Sequence, residues 1–330
     1  MITFLGYTAR LFGLACFFSI GSIFLTGCSE PTSKSQSGAP VKASEHKLQI
    51  VTTTTMITDL VQEIAGERAE VHGLMGPGVD PHLYKATATD LAKMQTADLI
   101  FYNGLMLEGT MSELFGQMQQ KGKKVYAVTD KIPKEKLLSF PQTPEHPDPH
   151  VWFDPTLWAI AADHVTETLA KEDAAHKEEY SLRGKMYFVK IMTAHEWAIK
   201  RLSGIEPSQR VLITSHDAFN YFGRAYNFEV IGVQGISTVT EAGLADITKT
   251  VDLIRARKVK AIFVESSVPR ANIERIAADS GAKVGAELFS DAAGTPGEME
   301  TVQDETYDLG SYIGMFKHNV NSIANALNNE

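Results

Sequence analysis

The sequence predicts an α/β protein of two lobes, each a mostly parallel sheet flanked by helices, joined by one long interlobe helix. Three observations carry that prediction. From residue 48 short apolar runs alternate with amphipathic stretches, the same alternation returns after residue 206, and between them lies a segment almost free of Gly and Pro.

In the first lobe, LQIVTTT (48–54) has the β-branched content of a strand, and MITDLVQEIAG (56–66) follows as a helix ending at Gly66. AEVHGLM (69–75) is a second strand, and TATDLAKMQTA (87–97) has an acidic start and helical periodicity. DLIFYNG (98–104) and KVYAVTD (124–130) are two more strands, with a helix over 109–121 between them. Strands alternating with helices in this way imply parallel pairing with both faces of the sheet covered.

Residues 154–204 are helix-compatible nearly throughout, and the portion 173–203 lacks Gly and Pro apart from Gly184. A helix of ~30 residues spans about 45 Å, enough to run along both lobes. In the second lobe RVLITS (210–215), FEVIGV (228–233), AIFVES (261–266) and KVGAELF (283–289) are strand-like, with helices expected near 218–226, 241–257 and 270–280. SYIGMFKHNVNSIANAL (311–327) closes the chain as a helix. The expected organisation is therefore residues 1–27 as a signal peptide, 28–47 as a tether, 48–172 and 206–330 as the lobes, and 173–205 as the linking helix.

The N-terminal segment follows from composition. After Arg10, the apolar run LFGLACFFSIGSIFLTGC stops abruptly at Cys28, as a secretory signal does. Leu25-Thr26-Gly27-Cys28 has the pattern of a bacterial lipobox, in which the cysteine is acylated and becomes the new N-terminus. Residues 29–47, SEPTSKSQSGAPVKASEHK, have almost nothing apolar to bury and suit a flexible tether. The expectation is an exported chain held by lipid to the extracytoplasmic side of a membrane.

The only cysteines are Cys16 and Cys28. The first leaves with the signal peptide and the second carries lipid, so no thiolate remains as a metal ligand or nucleophile. The net charge of −9, which becomes −10 once Arg10 is removed, together with the lack of a basic run, argues against nucleic-acid binding.

Ten histidines are present. His46 lies in the tether, His72 ends a strand, and His164, His176, His195 and His318 fall on expected helices, where solvated or packing roles suffice. His195 opens HEWAI, but Ile199 breaks the HExxH zinc-protease motif. Ser215, His216 and Asp217 are sequence neighbours without a nucleophile elbow, and GLMGPGVD lacks the lysine of a phosphate-binding loop.

Three histidines are placed differently. His82 and His150 each follow Asp-Pro in loops after expected strands, and His216 directly follows the strand RVLITS. Asp291 occupies the equivalent place after KVGAELFS. Loops at the ends of strands are where α/β folds put binding residues. Three imidazoles and one carboxylate make a plausible transition-metal site. Asp80, Asp148, Asp154 and Asp217 flank these loops and are expected to cap helix starts or to accept N–H bonds from the ligands.

GVDPHLYKATATDLAKMQTADLIFYNGLMLE, DPHVWFDP, TSHDAFNYFGRAYNFEVIGVQGISTVTEAG, AIFVESSV, ELFSDAAG and GSYIGMFKHNVNSI together resemble the zinc/manganese (cluster A-I, metal-receptor) group of solute-binding lipoproteins that serve ABC importers. The resemblance covers essentially the whole mature chain. It implies a metal-receptor type of periplasmic-binding-protein fold, with the cargo metal held between the lobes by His82, His150, His216 and Asp291. It also implies a cognate permease and ATPase as partners, a monomer, no organic cofactor and no enzymatic activity. The segment before His150 is short and holds only His146 besides it, unlike the histidine-rich loop of many zinc-dedicated members. Manganese is therefore slightly favoured over zinc, although a His3Asp set suits zinc. Two other readings remain: a surface adhesin-type lipoprotein with a structural metal, and a zinc hydrolase, which needs a metal-bound water and a base.

Overall fold

The computed structural model describes residues 47–139 and 145–328. Cys28 and all of the signal and tether before Lys47 lie outside the described residues.

The first sheet forms where the sequence places it. It comprises β1 (Leu48–Thr52), β2 (Ala69–Gly73), β3 (Leu99–Tyr102) and β4 (Val125–Ala127), all parallel, in the order β2-β1-β3-β4. The crossovers are α1 (Thr55–Ala65), α2 (Ala88–Thr96) and α3 (Met111–Gln120). Ile50, Val51, Leu99, Ile100 and Phe101 are buried because both faces of β1 and β3 are covered. A capping box starts α2: Thr87 Oγ1 accepts from Asp90 N–H, and Asp90 Oδ2 accepts from Thr87 N–H.

The middle segment is two helices, the second of them the long one. α4 (Pro155–Glu172) has its N-cap at Asp154 and proline at its first position, and it stops at Asp173. A 3-10 turn (Ala174–His176) leads into α5 (Lys177–Leu202), whose 26 residues extend about 39 Å. α5 packs against α4 with Gly184 at the closest approach. A Cβ there would stand 2.3 Å from Thr166 Oγ1 and 2.7 Å from its Cγ2. Gly184→Ala is expected to lower stability by about 1–3 kcal/mol through overpacking, as measured by denaturant unfolding.

The second lobe contains β5 (Val211–His216), α6 (Asn220–Tyr226), β6 (Glu229–Gln234), α7 (Leu244–Arg257), β7 (Ala261–Ile262), α8 (Ala271–Ser280) and β8 (Lys283–Val284). β5 pairs in parallel with β6, and β7 with β8. The Phe263 N–H to Ile213 C=O bond (2.9 Å) joins the two pairs. A hairpin of β9 (Met299–Val302) and β10 (Glu305–Asp308) precedes α9 (Tyr312–Asn328). The hairpin was not expected. Its strands, METV and ETYD, are mostly solvent-facing, so they lack the apolar alternation that marks a half-buried strand.

One apolar core runs through both lobes. It contains Leu60 and Ile64 of α1, Trp158 and Val165 of α4, Tyr187 and Ile191 of α5, Phe222 of α6, and Phe316 and Ile323 of α9. The long helix is thus a shared wall, which opposes wide separation of the lobes.

Candidate metal centre

The two Asp-Pro-His stretches and the ends of two second-lobe segments converge. His82, His150, His216 and Asp291 are all buried, and one ligand-type atom from each lies within 4.8 Å of the others. His82 Nε2 is 3.4 Å from His150 Nε2, which is 3.4 Å from Asp291 Oδ1. His216 Nε2 is 3.3 Å from Asp291 Oδ2. Ligands about 2.0–2.1 Å from a tetrahedral ion are separated by about 3.3 Å, so these spacings suit a shared cation. His216 Nε2 and Asp291 Oδ1 are buried without a hydrogen-bond partner, an arrangement that a bound ion would relieve.

The repeated tripeptide has a local reason. Asp80 Oδ1 accepts the N–H of His82 at 2.8 Å, and Asp148 Oδ1 accepts the N–H of His150 at 3.0 Å. In each, the aspartate satisfies the backbone donor two residues on, while proline fixes the backbone between them. Asp148 Oδ1 also accepts from His150 Nδ1 at 2.6 Å, which directs Nε2 toward the centre. Asp80 and Asp148 therefore support the histidines, and neither caps a helix.

Of the other two aspartates, Asp154 is the helix cap. Its Oδ1 accepts the N–H and hydroxyl of Thr156, and its Oδ2 pairs with Arg224 at 2.9 Å. Asp217 accepts from Gly232 N–H at 2.8 Å and ties β6 to the end of β5. Neither side chain hydrogen-bonds to the four converging residues, although Asp217 follows His216 directly in the chain.

Glu265 was missed. Its Oε1 accepts the His216 N–H at 2.9 Å, and its Oε2 accepts from His216 Nδ1 at 2.5 Å. Its position at the end of the run AIFVES, like that of the four candidates after their expected strands, was the available signal.

Glu108 was missed as well. Its carboxylate accepts from the Thr53 hydroxyl at 2.8 Å, Asn103 N–H at 2.5 Å and Gly104 N–H at 3.3 Å. It thereby shapes a turn in which Gly104, Leu105 and Met106 all have positive φ. Asn103 Nδ2 donates to Pro149 C=O at 3.0 Å, linking that turn to the His150 loop.

Electrostatics separate the histidines. Burial pushes His82 down to about 3, with only partial opposition from Asp291, so its ring is neutral. Burial pulls the same way on His150, but Asp148 and Asp291 more than offset it and hold the ring at about 9. Burial also opposes charge on His216, yet Glu265 and Asp291 raise it well above its usual value. Asp291 resists burial because His216 and His150 hold its carboxyl well below the usual range.

Burial likewise pushes Glu108 up, from its usual 4.5 to about 7, against the pull of Asn103 N–H and the Thr53 hydroxyl. A carboxyl raised by folding binds its proton more tightly in the folded chain. Its contribution therefore favours folding below pH 4.5 and is lost as pH rises through 7. The shift corresponds to about 3 kcal/mol. Between pH 5 and 8 the parent chain is expected to lose about 2–3 kcal/mol more stability than Glu108→Gln. Equilibrium unfolding at the two pH values checks this, and parallel losses would refute it.

A cavity of about 650 Å³ opens beside His82 and is lined by Leu105, Met106, Pro149, Asp217 and Ile236. His146 also lines it, outside the centre. The remaining described histidines lie elsewhere: His195 bonds Tyr226, His176 bonds Asp173, His318 bonds Glu300, His72 bonds Gln49, and His164 is buried in α4.

A family model described as zinc-uptake complex component A, periplasmic, matches residues 50–326. The chain belongs to this family. The manganese-binding lipoprotein MntA of Bacillus subtilis (strain 168) is 37% identical over 320 residues, covering 96% of this chain and 99% of MntA. The zinc-binding protein TroA of Treponema pallidum (strain Nichols) is 40% identical over 318 residues, covering 95% and 97%. The solved structure of periplasmic zinc-binding TroA superposes with a TM-score of 0.80 at 40% identity, covering 86% of this chain and 99% of that one. Other relatives are named substrate-binding lipoproteins of metal ABC transporters. Members of the zinc-uptake component A family are binding components of metal importers and not enzymes. Among the described residues no helix is long and apolar enough to cross a membrane.

Proposed function

We propose that His82, His150, His216 and Asp291 hold one divalent transition-metal ion as the cargo of an ABC importer, with manganese the physiological cargo slightly ahead of zinc. The observation that carries this reading is the convergence of four buried ligand atoms, one at the last residue of β5 and three from loops, within 4.8 Å. Formal charge supports a divalent ion. Asp148, Glu265 and Asp291 bring three carboxylates to three imidazoles, so with neutral imidazoles a dication leaves a single negative charge.

Chemistry and relatives both bear on the choice between manganese and zinc. Three imidazoles favour zinc in affinity, following the general order of divalent ions. The short segment before His150 and the near-full-length likeness to manganese-binding MntA support manganese as what is delivered, and the equally long likeness to zinc-binding TroA keeps zinc close behind. Cells select by availability as well as affinity.

In this reading Cys28 carries the lipid, residues 29–47 tether a monomeric domain to the extracytoplasmic side of the membrane, and the loaded domain docks on its permease and ATPase. Deleting the gene in its host and measuring cellular metals tests the cargo. The expected result is lower manganese with zinc unchanged; lower zinc alone would reassign the cargo. Metal analysis of alanine variants of the four ligands tests the site, and normal loading in two or more of them would dismiss it.

A further inference from the structure

The four residues are not held equally. His150 and His216 each have a carboxylate on the ring at Nδ1, from Asp148 and Glu265. The Asp291 loop is pinned to the first lobe on both sides. Ser290 C=O accepts from Trp152 Nε1 at 3.0 Å, and Ala293 N–H donates to Thr55 Oγ1 at 2.7 Å. Among the described residues no carboxylate holds the ring of His82. It is placed through its backbone, by Asp80, and it borders the cavity.

Asp80 is itself fixed from the other lobe. Its Oδ2 accepts the Thr238 hydroxyl at 2.6 Å, while its Oδ1 holds the His82 N–H. Thr238 lies in the loop between β6 and α7, and burial in this loop is inverted. Val239 and Leu244 are 67% and 73% exposed, whereas Thr238 is 7% exposed and is the one buried residue from 235 to 246. A buried hydroxyl beside exposed aliphatics needs a polar reason, and Asp80 supplies it. Among the described residues this is the single hydrogen bond from loop 235–243 to the first lobe.

We infer that Thr238 is a positioning residue for release, a latch across the lobe boundary that holds Asp80, and through it His82, against the bound ion. This inference rests on the ligand set proposed above. Breaking the latch lets His82 swing toward the cavity while His150, His216 and Asp291 stay in place, so release begins at His82. The latch restrains His82 within the assembled site, so its loss is expected in the dissociation rate rather than in capture.

The test is stopped-flow release of manganese or zinc from the mature domain into excess chelator, with association measured separately. A hydrogen bond to a charged group is worth about a ten- to hundredfold change in an equilibrium. Thr238→Val, which keeps the shape and removes the hydroxyl, is therefore expected to speed release by about that factor with association unchanged. Thr238→Ser should restore slow release. On an Asp80→Ala background, Thr238→Val should add nothing, because the two act through one contact.

Release at the parent rate in Thr238→Val, or an equal acceleration in the Asp80→Ala background, would overturn the latch and leave the ligand set intact. Unchanged affinity in His82→Ala would remove His82 from the ligand set, and the latch with it. The melting temperature of metal-free Thr238→Val distinguishes a general packing role: a large drop with parent-like release would assign Thr238 to stability alone.

Discussion

Asp291→Ala is expected to weaken divalent-metal binding by roughly two to four orders of magnitude, read by chelator competition at pH 8. Asp291 is the one carboxylate among the four converging residues, and its two oxygens face different imidazoles, Oδ1 toward His150 and Oδ2 toward His216. Deleting it removes the only negative charge in direct reach of the ion. Removing one member of a buried charged pair costs about 3–5 kcal/mol, which corresponds to roughly two to four orders of magnitude in affinity. The lost oxygens also leave His150 and His216 facing each other, with ring centroids 5.3 Å apart, without the acceptor that stabilises charge on both. Asp291→Asn should fall between the parent and the alanine variant, since it keeps an oxygen and loses the charge. Near-parent affinity in Asp291→Ala would remove Asp291 from the ligand set.

That the four residues meet was legible because each sits where a strand hands over to a loop, a position set by local sequence. Proline before His82 and His150 marks the loop, and the apolar run before His216 and Asp291 marks the strand. The support for the histidines was harder to read. Asp80 and Asp148 precede expected helices and so look like caps, yet their carboxylates turn back to the histidine two residues on. Only Asp154, immediately before the first turn of α4, does what its position suggests.

Glu265 and Thr238 depend on contacts between segments 49 and 158 residues apart, and no local period reports such pairings. The break between α4 and α5, at the expected boundary after residue 172, also rests on side chains. Asp173, Ala174 and Ala175 are tolerated in helices, and here Asp173 Oδ2 accepts instead from Tyr180 at 2.6 Å and pairs with His176 at 2.7 Å. Side-chain bonds of that kind let the chain turn without a Gly or Pro to announce it.

The carboxylates behind the histidines lead to the second large effect. Glu265→Ala is expected to reduce metal affinity by about 10- to 100-fold, as outer partners of ligating histidines do. Glu265 serves His216 twice, at the backbone N–H and at Nδ1, so alanine leaves two buried donors unpaired. With Nδ1 released, the ring is free to take the other tautomer, and Nε2 then carries a proton where the ion needs a lone pair. Glu265→Gln separates the two functions. One amide oxygen can accept from only one end of the His216 pair without rearrangement, and the amide NH2 opposes the other donor. Its loss should therefore approach that of alanine if geometry dominates, and should be much smaller if His216 needs only an acceptor at Nδ1. Asp148→Ala is the internal comparison, because a single oxygen, Oδ1, serves both donors of His150. If Glu265→Ala bound metal as tightly as the parent while Asp148→Ala did not, His216 would be held by its strand alone. Its position at the end of β5, paired to Gln234 of β6, would then be the device that aims it.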